Sequence, residues 1–382
     1  MVKSFSMLGQ RPIRYPVLKP LLPTYDKLIP YLRQIDNNRW YSNFGPLLRQ
    51  FEAGLAQHFA VTEDQIATST NATMAISQTL RAMGVPNGGN CVMPSWTFIA
   101  TPAAAIWAGG KPYFIDVDPA TWLIKPNRIL EVARHVDIAA VIVTSAFGAP
   151  LDLAEWDRFT STTGIPVLVD AAAGFDGFAA CGAQKASTPV VISLHATKVC
   201  GIGEGGVVVT GDATLAKRIR RFGNFGFHGS RDATVSGTNA KMSEYSAAVG
   251  LALLSEWPER RSKWAELSNR FAEQVAATPE LRLAPGFNAG WISSYGLIEL
   301  PAPHTADGVA EHLCRSEIET RKWWNGGCHA QSAYLDCARA ALPETERLGR
   351  QVLGLPFWLG LTGYEVEDIF TALRATLRRN ED

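Results

Sequence analysis

The sequence predicts a three-layer α/β domain on a mainly parallel sheet, followed by a smaller C-terminal α+β domain. Three observations point there. Between about residues 65 and 210, short β-rich runs alternate with helix-like windows. Several of those runs are apolar throughout, as expected of strands covered on both faces. After residue 240 the texture changes to long helical windows with scattered short strands. The division places the N-terminal segment and large domain in residues 1–250, and linking helices with the small domain in 251–382.

In order, the strand candidates are 91–94 (CVMP), 112–117 (PYFIDV), 140–145 (AVIVTS), 166–170 (PVLVD), 190–193 (VVIS) and 207–210 (VVVT). Helix windows lie between them at 73–83, 98–108, 127–134 and 152–162. Residues 243–278 read as one or two long helices interrupted near Pro258, because proline lacks the backbone donor a helix interior uses. The remainder, 281–382, mixes a short strand in ISSYGLIEL with helices at 308–318, 344–353 and 364–378.

Composition narrows the function. Thirty-six basic residues balance 36 acidic ones, so no overall field attracts a polyanion, and a nucleic-acid partner is not expected. The N-terminus, MVKSFSMLGQRPIRYP, has no following apolar run of signal-peptide length. No stretch of about 18 uncharged apolar residues would span a membrane. The cysteines (Cys91, Cys181, Cys200, Cys314, Cys328, Cys337) form no CxxC pair, which argues against a zinc site or a disulfide framework. A cytoplasmic location is the expectation.

Residues 190–210, VVISLHATKVCGIGEGGVVVT, carry the first chemical clue. Gly201, Gly203 and Gly206 satisfy GxGxxG, but they lead into a strand, where a dinucleotide fingerprint would open a helix. Lys198 stands in a small-residue loop just beyond a buried strand. A lysine partly withdrawn from water there loses its proton more readily, as an imine-forming amine must. By spacing alone, a surface-loop lysine is the stronger reading. Asp170 ends the apolar strand of PVLVDAAAGFDG, where ligands bind in open α/β sheets; a helix N-cap is the plainer alternative. In ATSTNATMAISQTLRAMG, a polar loop precedes a helix whose first-turn amides at Asn71, Ala72 and Thr73 suit an anion, with simple capping by Asn71 or Thr70 as the competing account. Together these supply a phosphate cradle, an acid for a ring nitrogen and an imine lysine. That is what pyridoxal phosphate (PLP) requires, because the acid keeps the pyridine nitrogen protonated and the ring can then take up electrons.

The order and wording of these segments resemble the DegT/StrS family of sugar-nucleotide aminotransferases, which have the fold-type I PLP architecture. The resemblance runs from YSNFGPLLRQFEAGLAQHFA through NATMAISQTLRAMGV, MPSWTFIATPAAAIWAGGKPYFIDVDPATW, VLVDAAAGFDG, SLHATK…GEGG and GTNAKMSEYSAAVGL. It ends with EIETRKWW and LPETERLGRQVLGLPF.

The resemblance implies that Lys198 holds the cofactor and shuttles the proton, and that Asp170 pairs with its ring nitrogen. It implies Phe98 as the stacking aromatic, with Trp96 the lesser candidate. The Ala72 and Thr73 amides and the Ser193 hydroxyl would hold the phosphate. Asn239 would reach the phosphate of a neighbouring subunit, making the working unit a homodimer. In the tail, Arg321, Trp323, Trp324 and His329 would approach the cofactor or the nucleotide sugar, although either tryptophan reads equally as core. The expected donor is L-glutamate. The expected acceptor is a dTDP-4-keto-6-deoxyhexose, with a C3 ketone or a GDP or UDP carrier as the alternative.

This sequence departs from the family pattern at Ala173, where a glutamine usually bonds the cofactor's 3′ oxygen, and at Asn71-Ala72-Thr73, where "SGT" is usual. The roles of His195 and Glu204 stay open. A sugar dehydratase of this family would carry histidine at Lys198. A non-catalytic PLP-binding regulator would more often lack that lysine or append a DNA-binding module.

Overall fold

The computed structural model describes residues 13–180 and 186–378. The reading of residues 1–12 as lacking a signal peptide, and Cys181, lie outside the described residues.

Two amphipathic helices come first, α1 (Tyr25–Asn38) and α2 (Pro46–Phe59). The large sheet is then laid down by β1 (Ile66–Ser69), β2 (Asn90–Pro94), β3 (Lys111–Ile115), β4 (Ile138–Thr144), β5 (Val167–Asp170), β6 (Val190–Ser193) and β7 (Gly206–Val209). Helices α3 (Ala72–Ala82), α4 (Ala100–Trp107), α5 (Pro126–Ala133), α6 (Leu153–Thr163) and α7 (Phe175–Ala180) connect the first six strands, and α8 (Ala213–Phe222) follows the seventh. The strand order is β1-β7-β6-β5-β4-β2-β3, extended by a two-residue strand considered below. Strand β7 runs antiparallel to both β1 and β6, and the other neighbours are parallel. Strands β4 to β7 are buried almost throughout, which is why they read as unbroken apolar runs.

One expectation fails at Pro258. Helix α9 runs unbroken from Glu244 to Ala276 with Pro258 inside it. The missing backbone bond is outweighed by packing on both sides: Trp257, Arg260 and Trp264 are all buried, and Arg260 grips Glu256 one turn back at 2.9 Å. At its start Glu244 lies buried and accepts hydrogen bonds from the Leu47 and Leu48 amides at 2.8 and 2.9 Å, capping α2. A Cβ on Gly45 would stand 2.6 Å from that carboxyl carbon, so the contact requires glycine there.

The C-terminal region contains β8 (Arg282–Leu283), β9 (Gly296–Glu299), α10 (Ala306–Arg315), β10 (Ala338–Arg339), α11 (Pro343–Gln351), β11 (Val352–Leu355) and α12 (Gly363–Arg378). Strands β11, β9 and β8 form a small antiparallel sheet. Strand β10 leaves that unit and adds to the edge of the large sheet, parallel to β3. Beside it, the Asp116 carboxylate accepts from the Glu344 and Thr345 amides, each at 2.8 Å, and from the Thr345 hydroxyl at 2.7 Å, capping α11. No helix among the described residues is long and apolar enough to cross a membrane.

Candidate active site

The C-terminal ends of β2, β4, β5 and β6 lie side by side along one edge of the sheet, because these four strands are parallel neighbours. Asp170 is the last residue of β5 and is buried. Its Oδ2 accepts from the Thr101 hydroxyl at 2.6 Å and its Oδ1 from the Ala172 amide at 3.2 Å. Behind it lies a row of buried hydroxyls. Thr144 Oγ1 donates to Thr97 Oγ1 at 3.0 Å, and Thr97 and Thr101 are 2.8 Å apart. Since Thr101 gives its hydrogen to Asp170, the row runs in one direction, Thr144 to Thr97 to Thr101 to the carboxylate. Burial pushes the Asp170 carboxyl above the usual carboxylate range; its two hydrogen bonds and the charge of Lys198 pull the other way.

Lys198 lies in the loop that leaves β6, the strand paired beside β5, so it follows the same edge of the sheet at which Asp170 stands. The lysine sits half-buried in the β6–β7 connection, whose ends are tied by Leu194 N to Gly205 O at 2.9 Å and Ala196 N to Gly203 O at 2.8 Å. The glycines flagged in the sequence serve this turn. Gly203 takes φ +98°, Gly201 passes so close to Ala196 that a Cβ would lie 2.5 Å from its carbonyl oxygen, and Gly206 presses against the start of α3. The ammonium donates to the Tyr295 hydroxyl at 2.5 Å and lies 4.9 Å from that ring's centre.

At the start of α3, Asn71 caps the helix by accepting from the Met74 amide at 2.9 Å. The Ala72 and Thr73 amides belong to the first turn, where no intrahelical acceptor exists. A Cβ on Gly206 would come within 2.7 Å of Ala72 N, so the bare backbone leaves this cradle open. Ser69, just before it, carries a buried hydroxyl without a hydrogen-bond partner among the described residues. Ser193 lies buried at the end of β6, its hydroxyl accepting from the His195 amide. An anion cradle, a lysine and a buried acid at one edge of the sheet fit PLP, whose phosphate and protonated ring nitrogen would compensate both ends.

The other expected residues fall in several places. Phe98 is 54% exposed just before α4, free to cover a ring, whereas Trp96 is buried edge-on against Trp122 and Trp324. Asn239 is exposed and accepts from Lys241 at 2.6 Å. Arg321 holds Glu319 at 3.2 Å and lies over the Trp323 ring. Trp323 meets the Tyr295 ring edge-on at 4.9 Å, so it reaches the lysine's neighbour. Trp324 stacks on Phe147 at 3.9 Å and packs inward. His329 bonds Ser95 at 2.7 Å, fastening the tail to the end of β2, and burial lowers its pKa. His195 Nδ1 accepts from the Thr197 amide at 3.3 Å, and its Nε2 faces Glu204 at 3.8 Å, so the two unassigned residues form a partly exposed pair. Sequence reasoning missed Thr97, Thr101, Thr144 and Tyr295. Thr101 lies in the first turn of α4, three residues after Phe98, which is a usable signal. Tyr295 lies 97 residues from its lysine, and no local pattern announces it.

The DegT/DnrJ/EryC1/StrS aminotransferase family model matches residues 24–374. The dTDP-4-amino-4,6-dideoxy-D-glucose transaminase of Escherichia coli is 28% identical over 357 residues, covering 91% of this chain and 94% of that protein. Protein Rv3402c of Mycobacterium tuberculosis is 28% identical over 383 residues, covering 96% and 91%. Among solved structures, DesI in the presence of its TDP-sugar product superposes with a TM-score of 0.85 at 31% identity, covering 98% of this chain and 96% of that one.

Proposed function

The chain belongs to the DegT/DnrJ/EryC1/StrS aminotransferase family, a PLP-dependent one, and from that premise we propose that it moves an amino group from L-glutamate to a nucleotide-linked keto-deoxy sugar. The acceptor we favour is a dTDP-4-keto-6-deoxyhexose, giving a dTDP-4-amino-4,6-dideoxy sugar. The E. coli transaminase named above and the TDP-sugar product of DesI support that choice.

The observation that carries the reading is the pair Asp170 and Lys198, the first buried at the end of β5 and the second in the loop that leaves the neighbouring strand β6. Bound PLP supplies an electron sink that lets the donor's Cα–H bond break. Asp170 holds the ring nitrogen protonated, and its burial keeps water from competing for that proton. Lys198 would hold the cofactor and, once the donor's amine has taken its place, its freed amine would accept the proton lost from the donor carbon. The Ala72 and Thr73 amides and the Ser193 hydroxyl bind phosphate, and Phe98 covers the ring. Asn239 extends to the phosphate of a second subunit, so the working form is a homodimer. The cytoplasm suits a nucleotide-sugar substrate and a chain whose five described cysteines are free.

The test is turnover with glutamate against a panel of dTDP, GDP and UDP keto sugars bearing the ketone at C3 or C4. Wild-type protein should aminate a dTDP-4-keto sugar, and Lys198→Ala should not. Glutamate-dependent turnover that survives in Lys198→Ala would defeat the mechanism.

A further inference from the structure

Resting on the PLP reading above, we propose that Tyr295 is a cofactor ligand whose hydroxyl donates to the oxygen on C3 of the ring. It would thereby fill the place left by Ala173.

The connectivity of the cofactor fixes where that oxygen must lie. With the ring nitrogen at Asp170, the phosphate arm on C5 at the start of α3 and the aldehyde carbon on C4 at Lys198, one edge of the ring is left. It is the edge away from α3 that carries the C3 oxygen, one ring atom from the carbon joined to Lys198. A hydroxyl within hydrogen-bond distance of the lysine nitrogen on that edge reaches the oxygen as well.

Tyr295 meets the distance condition, and a shared loop ties it to Ala173. Its hydroxyl is 2.5 Å from Lys198 Nζ. Because the ammonium donates there, the phenol accepts and keeps its own hydrogen for another acceptor. The Ala173 edge is marked by the loop after β4, since a Cβ on Gly148 would lie 2.5 Å from the Ala173 carbonyl oxygen. The same loop holds Tyr295. Phe147, with φ +52°, meets the Tyr295 ring edge-on at 5.5 Å. The Phe147 carbonyl accepts from the Ser293 hydroxyl at 2.8 Å, and that hydroxyl accepts from the Tyr295 amide at 3.2 Å. Ala173 itself offers a methyl group and no donor. The adjacent residues Phe147 and Gly148 thus touch the Tyr295 ring and Ala173 respectively, and of the two the phenol is the one that carries a donor.

A donor on the ring oxygen draws negative charge onto it and eases loss of the proton that oxygen shares with the lysine nitrogen. The experiment is a pH titration of the visible absorption of PLP bound to wild type, Tyr295→Phe and Tyr295→Phe/Ala173→Gln, without substrate. The midpoint should rise by about one pH unit or more in Tyr295→Phe, as expected for losing one hydrogen bond to a charged oxygen. It should fall back in the double variant. An unmoved midpoint in Tyr295→Phe with PLP bound would overturn the proposal. If Tyr295→Phe fails to hold PLP, the double variant must recover binding, and failure to do so overturns it too. Borohydride trapping of PLP on wild-type Lys198 separates the two readings, because loss of trapping there defeats the cofactor assignment itself.

Discussion

Thr101 Oγ1 donates to Asp170 Oδ2 across 2.6 Å, ending a row of three buried threonine hydroxyls that point the same way. The row fixes a carboxylate that burial alone would leave reluctant to ionise. Thr101→Val keeps the shape and removes the last donor. PLP affinity should then fall roughly 10- to 100-fold, the range for one hydrogen bond to a charged group, measured by spectral titration of apoprotein. Unchanged affinity would show that the row merely fills space.

Asp170→Asn should lower turnover roughly 10²- to 10⁴-fold, because an amide cannot hold the ring nitrogen protonated. The apoprotein should respond in the opposite sense. The folded pKa of Asp170 is raised above its unfolded value of about 3.9, so the stability it contributes is present in acid and lost as pH rises through the raised value. Near neutrality, apo Asp170→Asn should melt at a higher temperature than apo wild type. PLP should narrow the gap.

The shared-site assignment of Asn239 makes a mixing prediction. Homodimers of Lys198→Ala and of Asn239→Ala should each be nearly inactive. Co-refolded together, they should recover roughly a quarter of wild-type activity, since half the dimers are mixed and one of their two sites is whole. No recovery would mean that each site is built from a single chain.

Arg321→Ala should lower kcat/KM for the nucleotide sugar about 10- to 100-fold, the effect of one lost guanidinium–phosphate contact, and leave the glutamate half-reaction unchanged. Stopped-flow measurement of the two half-reactions separates these effects. Equal loss in both would move Arg321 from substrate recognition to scaffolding through Glu319, which holds the Val17 amide at 2.9 Å.

Glu244→Ala should cost about 2–4 kcal/mol of stability, because it strips the charged cap from two α2 amides. Gly45→Ala should cost about 1–3 kcal/mol through the clash with the same carboxylate. Denaturant melts of both variants check this, and the double variant should be milder than the sum.

Much of this was legible in the primary structure. Strands β4 to β7 could be read because burial on both faces forces apolar runs, and Asp170 and Lys198 stood out because each follows such a run. The tail was harder. Ala338–Arg339 is two exposed residues long, too short for any period, and joins the sheet only because the chain returns past β3. Pro258 misled because local backbone preference gave way to tertiary packing. Trp323 and Trp324 are adjacent and chemically identical, yet one touches Tyr295 and the other packs on Phe147. Only the three-dimensional path separates them.

The return of β10 to the large sheet, with Asp116 gripping the start of α11 and His329 bonded to Ser95, bolts the two halves of the molecule together away from their covalent link. A hinge swing of the C-terminal half would have to uncap α11 and peel off an edge strand. These contacts oppose such a swing by the hydrogen bonds it would break. Calorimetry should accordingly record one cooperative melt for both halves.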